Sequence, residues 1–179
     1  MPRHRIYEMM DRDIIDGYHG TTKKSAEIIC KEQRMLPSKH NNDWLGNGIY
    51  FFANACDAQW WISHARFCNR KTSVLTAKIT YVPANLLDLD IQDDLKKLND
   101  VVYTFISLNE GQIKADMTPQ QKWCFACNLI HEIDPNVELI ARTFPHHEDS
   151  SIFPINRRQI CVFDSKLISD IREFEGVLC

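Results

Sequence analysis

A histidine followed by a glycine and two threonines stands near the start of the sequence, within residues 18–22 (Tyr-His-Gly-Thr-Thr). The imidazole of His19 can donate or accept a hydrogen bond. Gly20 has no side chain, so a flat ligand can approach the main chain closely. A histidine beside a turn is more often structural than functional. His19 and Gly20 therefore indicate a binding cleft only if other segments of the sequence support that interpretation.

A tyrosine follows two glycines in the segment Gly46-Asn-Gly-Ile-Tyr50-Phe. The run that contains Tyr50 has high β propensity, so we expect a strand over 49–52. This is not a phosphate-binding loop, because the glycines are not followed by Gly-Lys-Ser/Thr. Tyr50 is either an ordinary core aromatic or a planar platform for a flat heterocycle.

A polar residue opens an apolar run in the third segment, Gln159-Ile-Cys-Val-Phe-Asp164. Taken alone, Gln159 is a strand-edge residue. Arg157 and Arg158 precede it, and successive side chains of a strand point to opposite faces. We therefore expect one arginine to face the cleft, where it can meet a phosphate, and the other to point away.

Together and in this order, the three segments resemble the ADP-ribosyltransferases of the diphtheria-toxin and poly(ADP-ribose) polymerase branch, the His-Tyr-Glu type. That branch carries His-Gly-Ser/Thr, then Gly-x-Gly-Ile-Tyr-Phe, then a strand that begins with Glu. The first two motifs match at His19 and Tyr50, and the third has Gln159 in place of the Glu. The motifs span residues 18 to 164, which is most of the chain.

The resemblance implies that NAD is bound as a co-substrate and that no metal is needed. His19 would bond the 2′-hydroxyl of the adenosine ribose, and the Gly20 backbone would hold the nicotinamide carboxamide. The nicotinamide ring would stack between Tyr50 and Trp60. The implied NAD-binding residues are His19, Gly20, Thr21, Gly48, Tyr50 and Trp60, and the implied catalytic residues are His19, Tyr50 and Gln159.

Glutamine at position 159 changes the expected reaction, because it carries no charge and cannot act as a base. A general base raises the rate of a reaction roughly 100- to 10,000-fold. In the family, polymer elongation depends on the glutamate. We therefore expect a pentosyl-transferring enzyme that adds one ADP-ribose to a macromolecule. The alternatives are an NAD glycohydrolase and a catalytically inactive NAD- or ADP-ribose-binding or interaction domain. Four carboxylates could substitute for the missing one: Glu110, Asp116, Glu138 and Glu148.

The elements that must position these residues are mixed strands and helices without regular alternation, which indicates an α+β domain. The resemblance narrows this to the ADP-ribosyltransferase fold, a split core of two small antiparallel sheets with surrounding helices. Thr21 or Thr22 can cap a first helix and Asp57 a second. Thr118 and Gln121 form a capping box for a later helix. The predicted helices are 25–34, one from 57, 91–106, 118–132 and a closing helix 165–174; the predicted strands are 17–20, 49–52, 73–82, 137–143 and 158–163.

Composition limits the rest of the prediction. The chain has 179 residues, a net charge of −3 and 44% hydrophobic residues, so we expect one globular domain over 1–179. The near-neutral charge excludes a dedicated nucleic-acid coat and slightly favours a protein acceptor over nucleic acid. No signal sequence or membrane span is evident. We expect a cytoplasmic monomer of the toxin, effector or defence kind, with its 7 cysteines reduced. The Cys124, Cys127 and His131 group indicates a buried helix face rather than a zinc site.

Overall fold

The computed structural model describes residues 11–40, 43–64, 70–109, 117–146 and 154–176. None of the helices in these ranges combines the length and hydropathy that crossing a bilayer requires. The strands are β1 (Asp13–Thr22), β2 (Ile49–Phe52), β3 (Thr72–Tyr81), β4 (Leu86–Asp88), β5 (Leu139–His146), β6 (Ile155–Val162) and β7 (Ile168–Glu173). The helices are α1 (Lys23–Glu32), α2 (Ala55–His64), α3 (Gln92–Leu108) and α4 (Pro119–Ile133), and short 3₁₀ turns cover Pro83–Asn85 and Ser165–Leu167.

The seven strands form one sheet in the order β4-β5-β6-β2-β1-β3-β7. Its neighbours are antiparallel except for β4 and β5, which are parallel. β1 is paired with β3 along its whole length, but it meets β2 only where Tyr18 lies opposite Phe52. The sheet therefore consists of two halves that are joined at one register position.

The α+β class expected from the sequence is confirmed, but the expected two separate antiparallel sheets are not what the described residues form. The single seam at Tyr18 and Phe52 links the two halves into one mixed sheet. Beyond this seam β1 and β2 diverge, because no further residue of β2 is in register with β1. The divergence opens a gap between His19 on β1 and Tyr50 on β2.

Alternating side chains bury both faces of the sheet. On β6, Ile160 and Val162 pack into a core with Phe51, whereas Cys161 packs with Leu98 and other residues on the opposite face. α1 contributes to the first core, and α3 and α4 cover the second. A strand buried on both faces reads as a continuous apolar run. This explains why the run after Gln159 shows no polar alternation.

Two of the four described helices begin at the predicted capping residues. The Thr22 side chain accepts a hydrogen bond from the backbone N–H of Ser25, and the Thr118 capping box is complete. The prediction that Asp57 caps α2 is wrong. The helix begins at Ala55, and the Asn54 side chain accepts from the Asp57 N–H, so Asn54 takes the capping role. Asp57 is instead inside the first turn and buried.

The predicted closing helix over 165–174 is also wrong, because β7 occupies most of this segment and pairs with β3. Ile168 and Ile171 both face the core, and a spacing of three favours a helix. In the structure this spacing comes from an irregularity in the strand. Asp170 has a φ of 50°, and the register with β3 shifts between Thr76 and Lys78. One extra residue in a strand resets its alternation in this way.

A glutamine side chain holds β7 from its outer edge. Gln33, just after α1, donates from Nε2 to the Ile171 carbonyl at 2.6 Å, and the Ile171 N–H donates to Gln33 Oε1 at 3.0 Å. The amide thus replaces the neighbouring strand that an edge residue lacks. It also fixes α1 against the half of the sheet that carries His19.

We expect Gln33→Ala to lower the free energy of unfolding by about 1–2 kcal/mol, because it removes both bonds to Ile171. Urea denaturation measures the loss, and amide hydrogen exchange should show faster exchange at Ile171. Lys31→Ala, on the exposed last turn of α1, is the matched control. Equal stability of the two variants, with Ile171 exchange unchanged, would contradict the assignment.

Candidate functional site

A cavity of about 800 Å³ lies at the gap between the diverging strands β1 and β2. This volume is within the roughly 300–1,000 Å³ of small-molecule sites. Of the residues predicted from sequence, the cavity is lined by His19, Gly20, Tyr50, Trp60 and Gln159. Thr21 and Gly48 are not among its lining residues. The structure therefore brings together one residue or more from each of the three motifs.

His19 spans the gap between the strands. Its Nδ1 lies 2.8 Å from the carbonyl oxygen of Tyr50, and a carbonyl only accepts, so Nδ1 carries the proton. Burial lowers the pKa of His19, although its bond to Tyr50 opposes this shift. The imidazole is therefore neutral at pH 7. Its Nε2 then has a lone pair that can accept a hydrogen bond from a ligand hydroxyl.

The Tyr50 hydroxyl closes the glycine turn that precedes its own strand. It donates to the Gly46 carbonyl at 2.7 Å and accepts from the Leu45 N–H at 2.9 Å. Gly46 has a φ of 93°, which glycine adopts without strain. Burial raises the pKa of the Tyr50 hydroxyl, so it stays protonated. The hydroxyl is thus used for structure, and the ring is what Tyr50 offers to the cavity.

Packing accounts for the two motif glycines. A Cβ on Gly20 would lie 2.5 Å from Ile62 and 2.7 Å from the Ala58 carbonyl oxygen, so the glycine lets α2 lie against β1. A Cβ on Gly48 would lie 2.4 Å from Cys161 Sγ, so that glycine lets β2 approach β6. Both positions exclude larger residues for reasons that need no ligand.

Trp60 already contacts three side chains. The Arg157 guanidinium carbon lies 4.0 Å from the indole centroid, and the rings of His64 and His146 lie 4.9 and 4.6 Å away. A stacking role for Trp60 stays a prediction. His146 is the last residue of β5. Trp61 also lines the cavity and is 43% exposed.

Arg157 and Asp57 form a buried ion pair at the wall of the cavity. Arg157 Nη1 lies 2.5 Å from Asp57 Oδ1, and the side chains are 8% and 5% exposed. Asn54 donates to the other oxygen of Asp57 at 2.6 Å. Arg158 points the other way and binds Asp88 and Asp90. The expectation that only one of the two arginines faces the cleft is confirmed.

Gln159 has a cationic neighbour that the sequence did not reveal. Arg142 of β5 is opposite Gln159 in the antiparallel register, and both line the cavity. The Arg142 guanidinium carbon lies 3.8 Å from the Trp123 ring centroid, and burial lowers the pKa of this guanidinium. Arg142 was missed because strand register joins residues that are remote in sequence. Its one local signal is a charge directly after the apolar run Leu139-Ile-Ala of β5.

The cavity lining contains one carboxylate, Asp43, among the described residues. Asp43 accepts hydrogen bonds from the Ser38 hydroxyl at 2.5 Å and the His40 N–H at 3.2 Å. Glu138, a predicted substitute for the missing glutamate, instead accepts from the Val82 N–H and does not line the cavity. The other candidates, Glu110, Asp116 and Glu148, lie outside the described residues.

The cysteines of α4 face the interior of the protein. Cys124 and Cys127 are buried free thiols, and burial raises the pKa of Cys127 to about 12. His131 bonds the Val137 carbonyl through Nδ1 and stacks on Phe163 at 4.0 Å. The prediction of reduced thiols is confirmed for four residues, Cys30, Cys124, Cys127 and Cys161. It is wrong for Cys56, which is disulfide-bonded.

The chain is similar to an uncharacterized protein of Methanocaldococcus jannaschii, with 32% identity over 107 residues. The match covers 56% of this chain and 50% of the archaeal protein, so the chain spans about half the length of this curated relative. No family model matches the sequence. No solved structure matches it either. The residues and the geometry of the cavity are therefore what indicate the function.

Acidification should destabilise the protein through His19. The native pKa is below the ordinary value of 6.5, so the unfolded chain takes up a proton that the native imidazole does not. Stability is therefore lost as the pH falls below about 6.5. We expect NMR titration to give a midpoint below 6.5, with Nδ1 protonated. The variant His19→Asn keeps a donor without the titration and should lose less stability on acidification. A native midpoint at or above 6.5 would overturn this assignment.

Removing the Asp57 carboxylate should lower the free energy of unfolding far more than removing an exposed carboxylate. We expect Asp57→Ala to lower the free energy of unfolding by about 3–5 kcal/mol, because it breaks a buried ion pair. Asp16→Ala breaks the exposed pair with Lys78 and should cost about 0–1 kcal/mol. Chemical denaturation of both variants gives the comparison. Similar losses would show that the buried pair contributes no more than the exposed one.

Proposed function

We propose that the protein is an NAD-dependent mono-ADP-ribosyltransferase, which transfers one ADP-ribose to a macromolecular acceptor and releases nicotinamide. The observation that carries the proposal is the convergence of the motif residues on one cavity. His19, Tyr50 and Gln159 come from separate segments, yet all three line it. Nothing in their local sequence requires this convergence, so it supports the resemblance on which the proposal is based.

The reaction requires a site that holds the leaving group and the ribose and excludes water. The bond between the ribose and nicotinamide breaks, positive charge develops on the sugar, and nicotinamide leaves as a neutral molecule. The Tyr50 ring offers a flat surface for the nicotinamide. The neutral His19 can accept a hydrogen bond from a ribose hydroxyl through Nε2, since its Nδ1–H is held by the Tyr50 carbonyl.

Gln159 can bind a ribose hydroxyl but supplies neither charge nor a base. The carboxylate in the described lining, Asp43, is engaged by Ser38 and His40. The site is thus poorly equipped to activate the sugar hydroxyl that would extend a polymer. This supports transfer of a single unit. A protein is the acceptor slightly favoured by the near-neutral net charge of −3.

Incubation with NAD tests the proposal directly. We expect calorimetry to detect NAD binding and chromatography to detect nicotinamide release that increases when cell lysate is added. Mass spectrometry of the lysate should then find single ADP-ribose adducts. Rapid nicotinamide release without any acceptor would favour the glycohydrolase alternative. NAD binding without release would favour a silent binding domain, and no binding would refute the proposal.

The same assay should respond to a carboxylate at position 159. We expect Gln159→Glu to raise nicotinamide release by up to about 100-fold, the lower end of what a general base contributes. Gln159→Ala is the control for loss of the amide, and it should lower release. If Gln159→Glu binds NAD as tightly as the wild type but releases nicotinamide no faster, position 159 is not beside the ribose.

A further inference from the structure

The arginine opposite Gln159 suggests what kind of acceptor the cavity takes. We propose that Arg142 binds a phosphate monoester and that an oxygen of this phosphate is the nucleophile that receives ADP-ribose. This inference rests on the proposed function. It adds the chemical class of the acceptor, which neither the motifs nor the comparisons specify.

Arg142 differs from the other two arginines around the site in how its charge is used. Arg157 is paired with Asp57, and Arg158 with Asp88 and Asp90. Arg142 forms no ion pair with any described residue, and its Nη1 is buried without a hydrogen-bond partner. A buried donor left unsatisfied costs about 1–3 kcal/mol or more when charged. Arg142 also lines the cavity, so an oxyanion bound there can pair with its charge.

The surroundings of Arg142 hold it in place without neutralising it. Its guanidinium lies over Trp123 at 3.8 Å, a contact that fixes the plane of the group. Asp90 is on a neighbouring segment, but its carboxylate is taken up by Arg158 and Thr143. An arginine of fixed orientation without a carboxylate partner among the described residues is suited to recognise a pair of phosphate oxygens.

The position of Arg142 assigns this phosphate to the acceptor rather than to NAD. Arg142 is the register partner of Gln159, the residue proposed to lie beside the reacting ribose. A group bound there is next to the carbon that is attacked. Phosphate is favoured over a carboxylate because a phosphate monoester carries about −1.5 to −2 charge at pH 7, so it interacts more strongly with the unpaired Arg142.

A phosphate nucleophile also explains how the site can work without a base. The monoester is already anionic at pH 7, so no proton has to be removed before attack. One phosphate oxygen forms a bond to the ribose carbon C1″ as the bond from C1″ to the nicotinamide nitrogen breaks. The electron pair of that bond leaves with neutral nicotinamide. The product is a glycosyl phosphate, and no oxidant or other reactant is needed.

The test uses inorganic phosphate as the acceptor and measures how released ADP-ribose divides between phosphate and water. We expect the wild type to form ADP-ribose 1″-phosphate, identified by mass spectrometry, in preference to the products from acetate or glycerol at equal concentration. Arg142→Gln should lower the ratio of phosphate product to hydrolysis product by about tenfold or more. Arg142→Lys keeps the charge without the planar fork and should lower it less. Arg172→Gln, on the exposed side of β7, is the control.

The ratio is internal to each variant, so it is independent of how much protein folds and of how tightly NAD binds. Nicotinamide release without any phosphate product would overturn this inference while leaving NAD cleavage intact. Equal products from acetate and phosphate would overturn the choice of phosphate. An unchanged ratio in Arg142→Gln, or a defect confined to the KM for NAD, would remove Arg142 from the acceptor site. Absence of NAD cleavage would refute the proposed function and this inference with it.

Discussion

The hydrogen bond from His19 to the Tyr50 carbonyl is the interaction on which the cavity depends. The two halves of the sheet share one register position, between Tyr18 and Phe52, and the strands diverge beyond it. A carbonyl exposed by such a divergence would be left without a ladder partner in a largely buried place, which is unfavourable. The His19 side chain takes the place of the missing strand at 2.8 Å. His19 therefore bridges the gap between β1 and β2 and also keeps the two strands apart there. The same bond sets the imidazole tautomer, so it both joins the strands and leaves the lone pair on Nε2 for a ligand.

The motif residues have structural reasons for their identities as well as chemical ones. Gly20 lets α2 approach β1, Gly48 lets β2 approach β6, and the Tyr50 hydroxyl closes the turn at Gly46. A protein could therefore keep these residues for its fold while its chemistry changed. For this reason the resemblance alone is weaker evidence for activity than for architecture. The lone pair of His19 Nε2 and the charge of Arg142, which has no ion-pair partner among the described residues, carry more weight, because packing does not require either of them.

Features that depend on neighbouring residues could be predicted from the sequence, and those that depend on register could not. The caps at Thr22 and Thr118 and the strand at Ile49–Phe52 follow from a few adjacent residues. The strand β7 was mistaken for a helix because a bulge at Asp170 gives its apolar residues a helical spacing.

The same limit applied to the site. Asp57 was misassigned as a cap because Arg157, its partner, is 100 positions away. Arg142 was missed since only strand pairing places it opposite Gln159. The convergence of the three motifs was expected only through the resemblance.

Gln159 and Arg142 are best understood as a matched pair. A glutamate at position 159 would lie opposite an arginine that has no other carboxylate partner among the described residues, so the two would form an ion pair. Such a pair would occupy the charge of Arg142 that an incoming anionic acceptor needs. Glutamine keeps its hydrogen-bonding capacity and leaves Arg142 charged for an incoming anion. Under the proposed function, Arg142 would compensate within the same sheet for the glutamine at position 159. Under the proposed function, the positive charge of Arg142 would select a nucleophile that needs no base.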